Sequence, residues 1–192
     1  MAGETKTSSK RDELVDIASA LFYEQGYGAT GIKQIIDLAG IAKGTFYSHF
    51  KSKEELGLAW LRKRHTVWTS WLEAGLDSNK SARSNLISIF DFLERWMLEC
   101  DFRGCAFLNT LAEVPDPESP MRLEILNHKR GLQERFQELT TAHFTGQSNA
   151  YGKQKGTILF LLFEGALIES QNYRDAAPIL SAQKEIKTFL AT

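Results

Sequence analysis

Apolar residues recur every three or four positions along almost the whole chain, and no segment shows the sustained alternation of apolar and polar residues that marks a strand. In the first apolar segment, residues 14–22, this spacing places the apolar side chains on one face of a helix. Gly26 follows at a position where a glycine commonly ends a helix. The pattern therefore predicts an all-α fold.

Two short helices are predicted next, at residues 32–39 and 43–50, with Gly40 in the turn between them. Thr30 is the expected N-cap of the first, and Ser52 is the expected N-cap of a longer helix that runs to Ala74. Further helices are predicted at residues 82–99, 105–113, 121–144, 153–171 and 177–190, with a proline-rich loop at residues 115–120.

The two short helices have the spacing of a helix-turn-helix, in which the second helix enters the major groove of DNA. Helical periodicity points Phe46 and Phe50 to one side of that second helix. The opposite side carries small and polar residues: Gly44, Thr45, Ser48 and His49. A narrow polar face of this kind fits the major groove, although any one of these residues alone is equally typical of a solvated helix.

Composition narrows the class of protein without deciding it. The chain has 192 residues and a formal net charge of −1, so charge alone is weak evidence for nucleic-acid binding. The apolar run at residues 157–168 contains Glu164 and is shorter than the roughly 20 residues of a membrane span. The N-terminus lacks a signal-peptide pattern, and Cys100 and Cys105 fit no metal-binding pattern. We expect a cytoplasmic protein that binds no membrane, cofactor or metal.

The stretch from Gly44 to Leu56 reads G-T-F-Y-x-H-F-x-S-K-E-E-L and closely resembles the DNA-binding region of TetR-family regulators. The resemblance implies a nine-helix fold that acts as a homodimer on a double-stranded DNA operator. It also implies a flexible arm at residues 1–10, a helix-turn-helix domain at 11–52, and a ligand-binding and dimerisation domain at 53–192.

Carried over position by position, the resemblance places a set of residues at the DNA: Thr30, Lys33, Lys43, Gly44, Thr45, Tyr47, Ser48, His49 and Lys53. Phosphate contacts are expected from Lys53 and from the helix that Thr30 precedes. The family usually has Ser or Thr where this chain has Ala42, so the recognition helix lacks a cap worth about 1 kcal/mol.

Residues 158–163 are all apolar and lie within a predicted helix, which therefore needs cover on several sides. In TetR-like proteins the last two long helices form a four-helix dimer bundle, and the resemblance implies the same here. Gly165 and Ala166 are expected to allow close helix approach. The expected interface residues are Leu159, Leu162, Ala166, Ile179 and Ile186.

The resemblance also implies a small-molecule effector, whose identity the sequence does not give. The candidate pocket residues are mostly aromatic, which favours an aromatic effector, although ordinary core packing uses the same residue types. They are Trp60, Trp68, Trp96, Cys105, Phe107, Asn109, His128 and Phe163.

The segment D-F-R-G-C-A-F-L-N at residues 101–109 resembles the Gly-Cys segment that opens helix 6 in a subset of TetR-like proteins. Some members of that subset sense electrophiles or oxidants. A cysteine at a helix N-terminus beside Arg103 is expected to hold more of the reactive thiolate form. The alternative interpretation is that Cys105 is an inert buried residue.

Three classes of function remain to be weighed. A ligand-responsive regulator is the interpretation we favour, and repression fits it best, although activation is also compatible with the sequence. An enzyme would have to use Cys105 and His128 as nucleophile and base without any other catalytic motif, so we expect no catalytic site. The third class is an all-α interaction module that does not bind DNA.

Overall fold

The structure is a computed structural model that describes residues 9–191, so residues 1–8 of the predicted arm lie outside it. The described residues form nine α-helices and no strand, which confirms the all-α prediction. The helices are α1 (Lys10–Gln25), α2 (Ile32–Ala39), α3 (Lys43–His49), α4 (Lys53–Ala74), α5 (Ala82–Glu99), α6 (Ala106–Leu111), α7 (Pro120–His143), α8 (Asn149–Tyr173) and α9 (Ala177–Phe189).

Serine side chains cap the start of several helices. Ser52 Oγ accepts the amide N–H of Glu55 at 3.1 Å, which confirms the predicted cap of α4. Ser9 Oγ accepts the amide N–H of Asp12 at 3.2 Å in the same way. Residues 9 and 10, which the sequence assigned to the arm, therefore belong to the start of α1.

Some boundaries differ from the prediction. α6 is shorter than predicted because the chain turns after Leu111, where the amide of Glu113 donates to the carbonyl of Thr110 at 2.9 Å. α8 begins earlier than predicted because Ser148 caps it. Pro120 is the first residue of α7 rather than part of the loop, a position where a proline's missing N–H removes no helical hydrogen bond.

The described chain divides into two compact units. Unit 1 comprises the described residues up to Arg64 together with Ala106–Ile125, and unit 2 comprises His65–Cys105 together with the residues from Leu126 onward. The predicted boundary at residue 52 divides a DNA-binding domain from a ligand-binding and dimerisation domain. It does not coincide with the division into compact units, and it stays a prediction. Within the described residues, no helix is long and apolar enough to cross a membrane, and no three metal-ligating side chains lie together.

Unit 1 has its core where α1, α2 and α3 meet. α2 packs against both α1 and α3. The side chains with no exposed surface there are Leu14, Ile35, Phe46, Phe50 and Leu56. These are the apolar positions that helical periodicity selects, so local pattern and packing agree.

Unit 2 is built around α5, α8 and α9, which pack against one another. Phe90, Phe136 and Phe163 form a ring cluster with centroids 5.7–6.1 Å apart. A Cβ at Gly156 would lie 2.5 Å from the Cα of Gln137, so only a glycine lets α7 and α8 approach this closely.

Candidate nucleic-acid interface

Two buried phenylalanines fix how α3 lies on the rest of unit 1. Phe46 and Phe50 have no exposed surface, and their ring centroids are 6.2 Å apart. The guanidinium of Arg11, on α1, lies 4.6 Å from the centroid of the Phe50 ring. Because one side of α3 is anchored in this way, the opposite side faces solvent.

The solvent-facing side of α3 is narrow and polar. Gly44 is exposed, and no described atom outside its own turn lies within 4 Å of the position a Cβ would take. Tyr47 is 43% exposed, and the ammonium of Lys43 lies 5.9 Å from its ring centroid. Ser48 Oγ donates to the Thr45 carbonyl at 2.7 Å. The partly buried residues at the edges of this face are Thr45 and His49.

α3 begins without a side-chain cap. Ala42 occupies the N-cap position with extended backbone angles, φ −73° and ψ 151°, and makes no capping hydrogen bond. The prediction that this helix lacks its cap is confirmed.

The two predicted DNA contacts nearest α2 differ in exposure. The Lys33 side chain is 88% exposed and pairs with Asp37 at 2.6 Å, an exposed pair that a phosphate can readily replace. Thr30 has no exposed surface, and its hydroxyl donates to the Gly26 carbonyl at 2.8 Å. Gly31 is the N-cap of α2, so the capping role predicted for Thr30 is wrong. Its hydroxyl closes the α1–α2 loop instead of pointing toward a DNA surface.

Lys53 begins α4 beside the α1–α2 loop. Its Nζ donates to the Gly28 carbonyl at 3.3 Å and lies 4.3 Å from the Tyr27 ring centroid. Burial lowers the pKa of Lys53, and the Glu113 carboxylate opposes that effect. Burial, together with Glu54 and Glu113, raises the pKa of Tyr27 to about 12. Sequence reasoning missed Glu113, because no spacing rule connects it with a lysine so far back in the chain.

Known proteins resemble both this segment and the chain as a whole. Residues 14–59 match the model of bacterial regulatory proteins of the tetR family, and this match spans α1, α2, α3 and the start of α4. The transcriptional repressor NemR of Escherichia coli strain K12 is 25% identical over 190 residues, which cover 95% of this chain and 94% of NemR. Residues 14–59 therefore resemble the DNA-binding segment of TetR-family regulators, and the chain as a whole is similar to a transcriptional repressor.

Solved structures agree with that assignment. A TetR-family transcriptional regulator from Streptomyces coelicolor superposes with a TM-score of 0.84 at 26% identity, covering 95% of this chain and 94% of that one. The reduced form of E. coli NemR gives a TM-score of 0.78 at 21% identity over 94% of this chain and 97% of that one, which supports the fold alone. The TetR-like fold is confirmed, and these relatives are transcription regulators rather than enzymes.

The residues predicted to line an effector pocket are distributed over both units. In unit 1, Trp60 packs against Phe22 with ring centroids 5.2 Å apart, and Phe107 and Asn109 lie on α6. In unit 2, Phe163 belongs to the ring cluster of α5, α7 and α8. Their role in ligand binding stays a prediction.

Unit 2 brings three of the predicted pocket residues together. The Trp68 ring centroid lies 5.6 Å from that of Trp96 and 5.0 Å from that of His128. His128 Nδ1 lies 2.9 Å from Nδ1 of His65, a neighbour that the sequence did not suggest. The indole N–H groups of Trp68 and Trp96 are buried and have no acceptor among the described residues. Buried donors of this kind cost free energy until an acceptor is supplied.

Cys105 is buried and immediately precedes α6, after Gly104 in a left-handed conformation with φ 80°. The thiol is an electrostatic neighbour of Lys129, whose ammonium donates to both carboxylate oxygens of Glu164 at 2.7 and 2.8 Å. Burial acts to lower the pKa of Lys129, but Cys105 and Glu164 raise it by more, so this lysine is charged. Sequence reasoning named Arg103 as the neighbouring cation and missed Lys129, which belongs to another helix.

The predicted dimer interface is partly wrong. Leu159, Ile179 and Ile186 have no exposed surface, because unit 2 encloses them in its own core. The apolar side of α8 that faces solvent carries other residues, about a third of a turn or more away: Ile158, Leu161 and Ile168.

The other two predicted interface residues border a groove of unit 2, where Leu162 is partly exposed and Ala166 is largely buried. Leu162 and Ala166 line an open groove of about 460 Å³ between α8 and α9. Gly165 is exposed beside them, with no described atom outside its own helix near the position of a Cβ. This groove adjoins the exposed side of α8, because Leu161 belongs to both.

Proposed function

We propose that this regulator represses transcription by binding a palindromic operator as a homodimer, and that a small-molecule effector releases it. The exposed face of α3 carries the proposal. Lys43, Gly44, Tyr47 and Ser48 lie clear of the core, while two buried phenylalanines hold the helix in place. A short, narrow, polar helix held in this way is the element that a helix-turn-helix protein inserts into the major groove.

The contacts divide by chemistry. Polar side chains of α3 contact base edges and phosphates, Gly44 permits close approach, and the lysines neutralise phosphates. The contacting residues are Lys33, Lys43, Gly44, Thr45, Tyr47, Ser48, His49 and Lys53. Thr30 supports the loop between α1 and α2 and does not touch DNA.

A homodimer is required because one short helix reads few base pairs, whereas two helices about 34 Å apart read both halves of a palindrome. The exposed apolar side of α8 supports this part of the proposal. Ile158, Leu161 and Ile168 are each more than 40% exposed, and Gly165 lies among them. A contiguous apolar surface of this kind on a soluble protein marks an interaction site.

The effector that fits best is an electrophile that reacts at Cys105. The nucleophilic form of cysteine is the thiolate, and Cys105 has the Lys129 ammonium as its cationic neighbour. The thiolate sulfur adds to one carbon of an activated double bond, a new carbon–sulfur bond replaces the π bond, and the neighbouring carbon takes a proton from water. Because Cys105 is only 3% exposed, the added group displaces its surroundings at the start of α6.

A reversible aromatic effector is the second candidate, and the indole donors of Trp68 and Trp96 favour it. A carbonyl or carboxylate on such a ligand would supply the acceptors that these buried N–H groups lack among the described residues. The two candidates differ in one respect, since only the electrophile requires a thiol at residue 105.

Selection of bound duplexes from a random pool tests the central proposal. The full chain is expected to recover a palindromic sequence and to bind it less tightly as salt is added. Sedimentation in the absence of DNA is expected to show a dimer at micromolar concentration. Recovery of no palindrome, or a monomer in sedimentation, would contradict the proposal.

A further inference from the structure

A carboxylate from outside the helix-turn-helix lies on the loop between α1 and α2. Glu113 follows α6, and its Oε2 accepts the amide N–H of Gly28. Cβ atoms at Gly26 and Gly28 would lie 3.0 Å and 2.9 Å from the carboxylate oxygens of Glu113. The loop therefore presents main-chain atoms without side chains to this carboxylate. The loop and Glu113 both belong to unit 1.

Lys53 approaches the same glycine. Its ammonium donates to the Gly28 carbonyl at 3.3 Å, so opposite charges bind the N–H and the C=O of one residue. Glu113 is also the charged group that opposes the effect of burial on the pKa of Lys53. The carboxylate is thus a counter-ion for a lysine that we have proposed as a phosphate contact.

Neighbouring contacts hold Glu113 in this position. Arg122 Nη1, on α7, donates to the Val114 carbonyl at 3.3 Å, next to Glu113 in the chain. Ser119 Oγ donates to Glu54 Oε1 at 2.6 Å and joins the α6–α7 loop to the start of α4. The loop that carries Glu113 is therefore attached to the helix that Lys53 begins.

We propose that Glu113 competes with a DNA phosphate for the Lys53 ammonium, so that the end of α6 restrains DNA binding. The inference rests on the proposed phosphate contact of Lys53. A phosphate that approaches Lys53 enters the field of the Glu113 carboxylate, and the repulsion between the two anions lowers the affinity for DNA. Only α6 and one further residue, Ala112, separate Cys105 from Glu113 along the chain, so a displacement of α6 would change the competition.

A double-mutant cycle tests this competition in the full chain, with Glu113→Gln, Lys53→Met and the double variant. Glutamine keeps an oxygen that accepts the Gly28 N–H but removes the charge. The probes are a random-sequence duplex and the duplex selected from the pool. We expect Glu113→Gln to tighten binding to both by about two- to fivefold, the range for an exposed ion pair. We also expect it to steepen the slope of log affinity against log salt by up to about 0.9.

The double variant separates competition from simple charge removal. In the Lys53→Met background, Glu113→Gln is expected to change neither affinity nor salt slope. An equal tightening in both backgrounds would overturn the proposal, and so would no effect in either. Glu118→Gln, the same charge change at an exposed position in the same loop, is the matched control and should have a smaller effect than Glu113→Gln. Failure of the unmodified chain to bind either duplex would instead reject the proposed function.

Discussion

At the scale of single residues, the DNA-binding face uses side chains that contribute little to the core. Tyr47 is exposed whereas its neighbour Phe46 has no exposed surface, so truncation of Tyr47 removes a contact without opening a cavity. We predict that Tyr47→Ala weakens operator binding by about 1–3 kcal/mol, the range for a lost specific contact, with an unchanged melting temperature. Binding isotherms and thermal unfolding measure the two quantities.

Lys43→Ala is the companion variant, with a different expected signature. It should weaken binding to the operator and to random DNA alike, because a phosphate contact carries no sequence information. Trp71→Ala is the control for truncating an exposed aromatic side chain, since Trp71 is 47% exposed and lies in unit 2. It should leave DNA binding unchanged. If Tyr47→Ala and Lys43→Ala both bind normally, the wrong face of α3 has been placed on DNA.

The proposed effector response is also tested at a single residue. In a Cys100→Ser background, Cys105→Ser is expected to keep operator binding and to lose release by an electrophile such as N-ethylmaleimide, because the nucleophile is gone. Gel-shift titrations with and without the reagent measure this. A normal response in Cys105→Ser would leave the reversible aromatic effector as the remaining candidate.

At the scale of helices, the sequence predicted the helix boundaries that capping residues and apolar periodicity determine. α5 begins and ends where predicted, because Ser81 caps its first turn and the apolar period continues to its last. α6 does not end where predicted, because the chain turns after Leu111 beside Arg122 of α7. Thr30 has the chemistry of an N-cap, but its hydroxyl donates to the carbonyl of Gly26 four residues earlier, a loop contact that capping statistics do not include.

The missing cap of α3 offers a test at this scale. Ala42 has φ −73° and ψ 151°, close to the φ −64° and ψ 152° of Ser9 and of Ser81, both of which cap helices. We predict that Ala42→Ser raises the free energy of unfolding by about 1 kcal/mol, because its hydroxyl can accept an α3 amide. Denaturant unfolding measures the change.

A second serine substitution serves as the control for that gain. Ala20→Ser places the same side chain on the exposed side of α1, away from the helix end, where serine is slightly unfavourable. It should therefore lower the free energy of unfolding by a few tenths of a kcal/mol. Equal effects of the two substitutions would show that capping is not the cause.

At the scale of the whole molecule, the sequence predicted contacts within a motif but not contacts between distant segments. The α3 face is encoded in consecutive residues, so periodicity and resemblance both found it. Lys129 and Glu113 were missed because the fold alone brings them to Cys105 and Gly28. Leu159 was predicted at the dimer interface but is buried within the protomer, because α8 is apolar on two sides and periodicity cannot say which side the chain covers itself.

The exposed side of α8 therefore carries the prediction about assembly. Leu161 is 61% exposed, so Leu161→Glu costs the folded protomer little, yet it places two like charges in a symmetric interface. We predict a folded monomer in sedimentation. Its operator affinity should fall by at least about tenfold, because the second half-site no longer benefits from a linked recognition helix.

Leu98→Glu is the control that shows whether the effect of Leu161→Glu is specific to α8. Leu98 lies on α5 and is 54% exposed, so the substitution matches Leu161→Glu in chemistry and in exposure. It should remain a dimer with normal operator affinity. If Leu161→Glu also remained a dimer, α8 would not be the interface, and the spacing of the two α3 helices would have to come from another surface. If it became monomeric but bound DNA normally, a single α3 would suffice and the palindrome would not be needed.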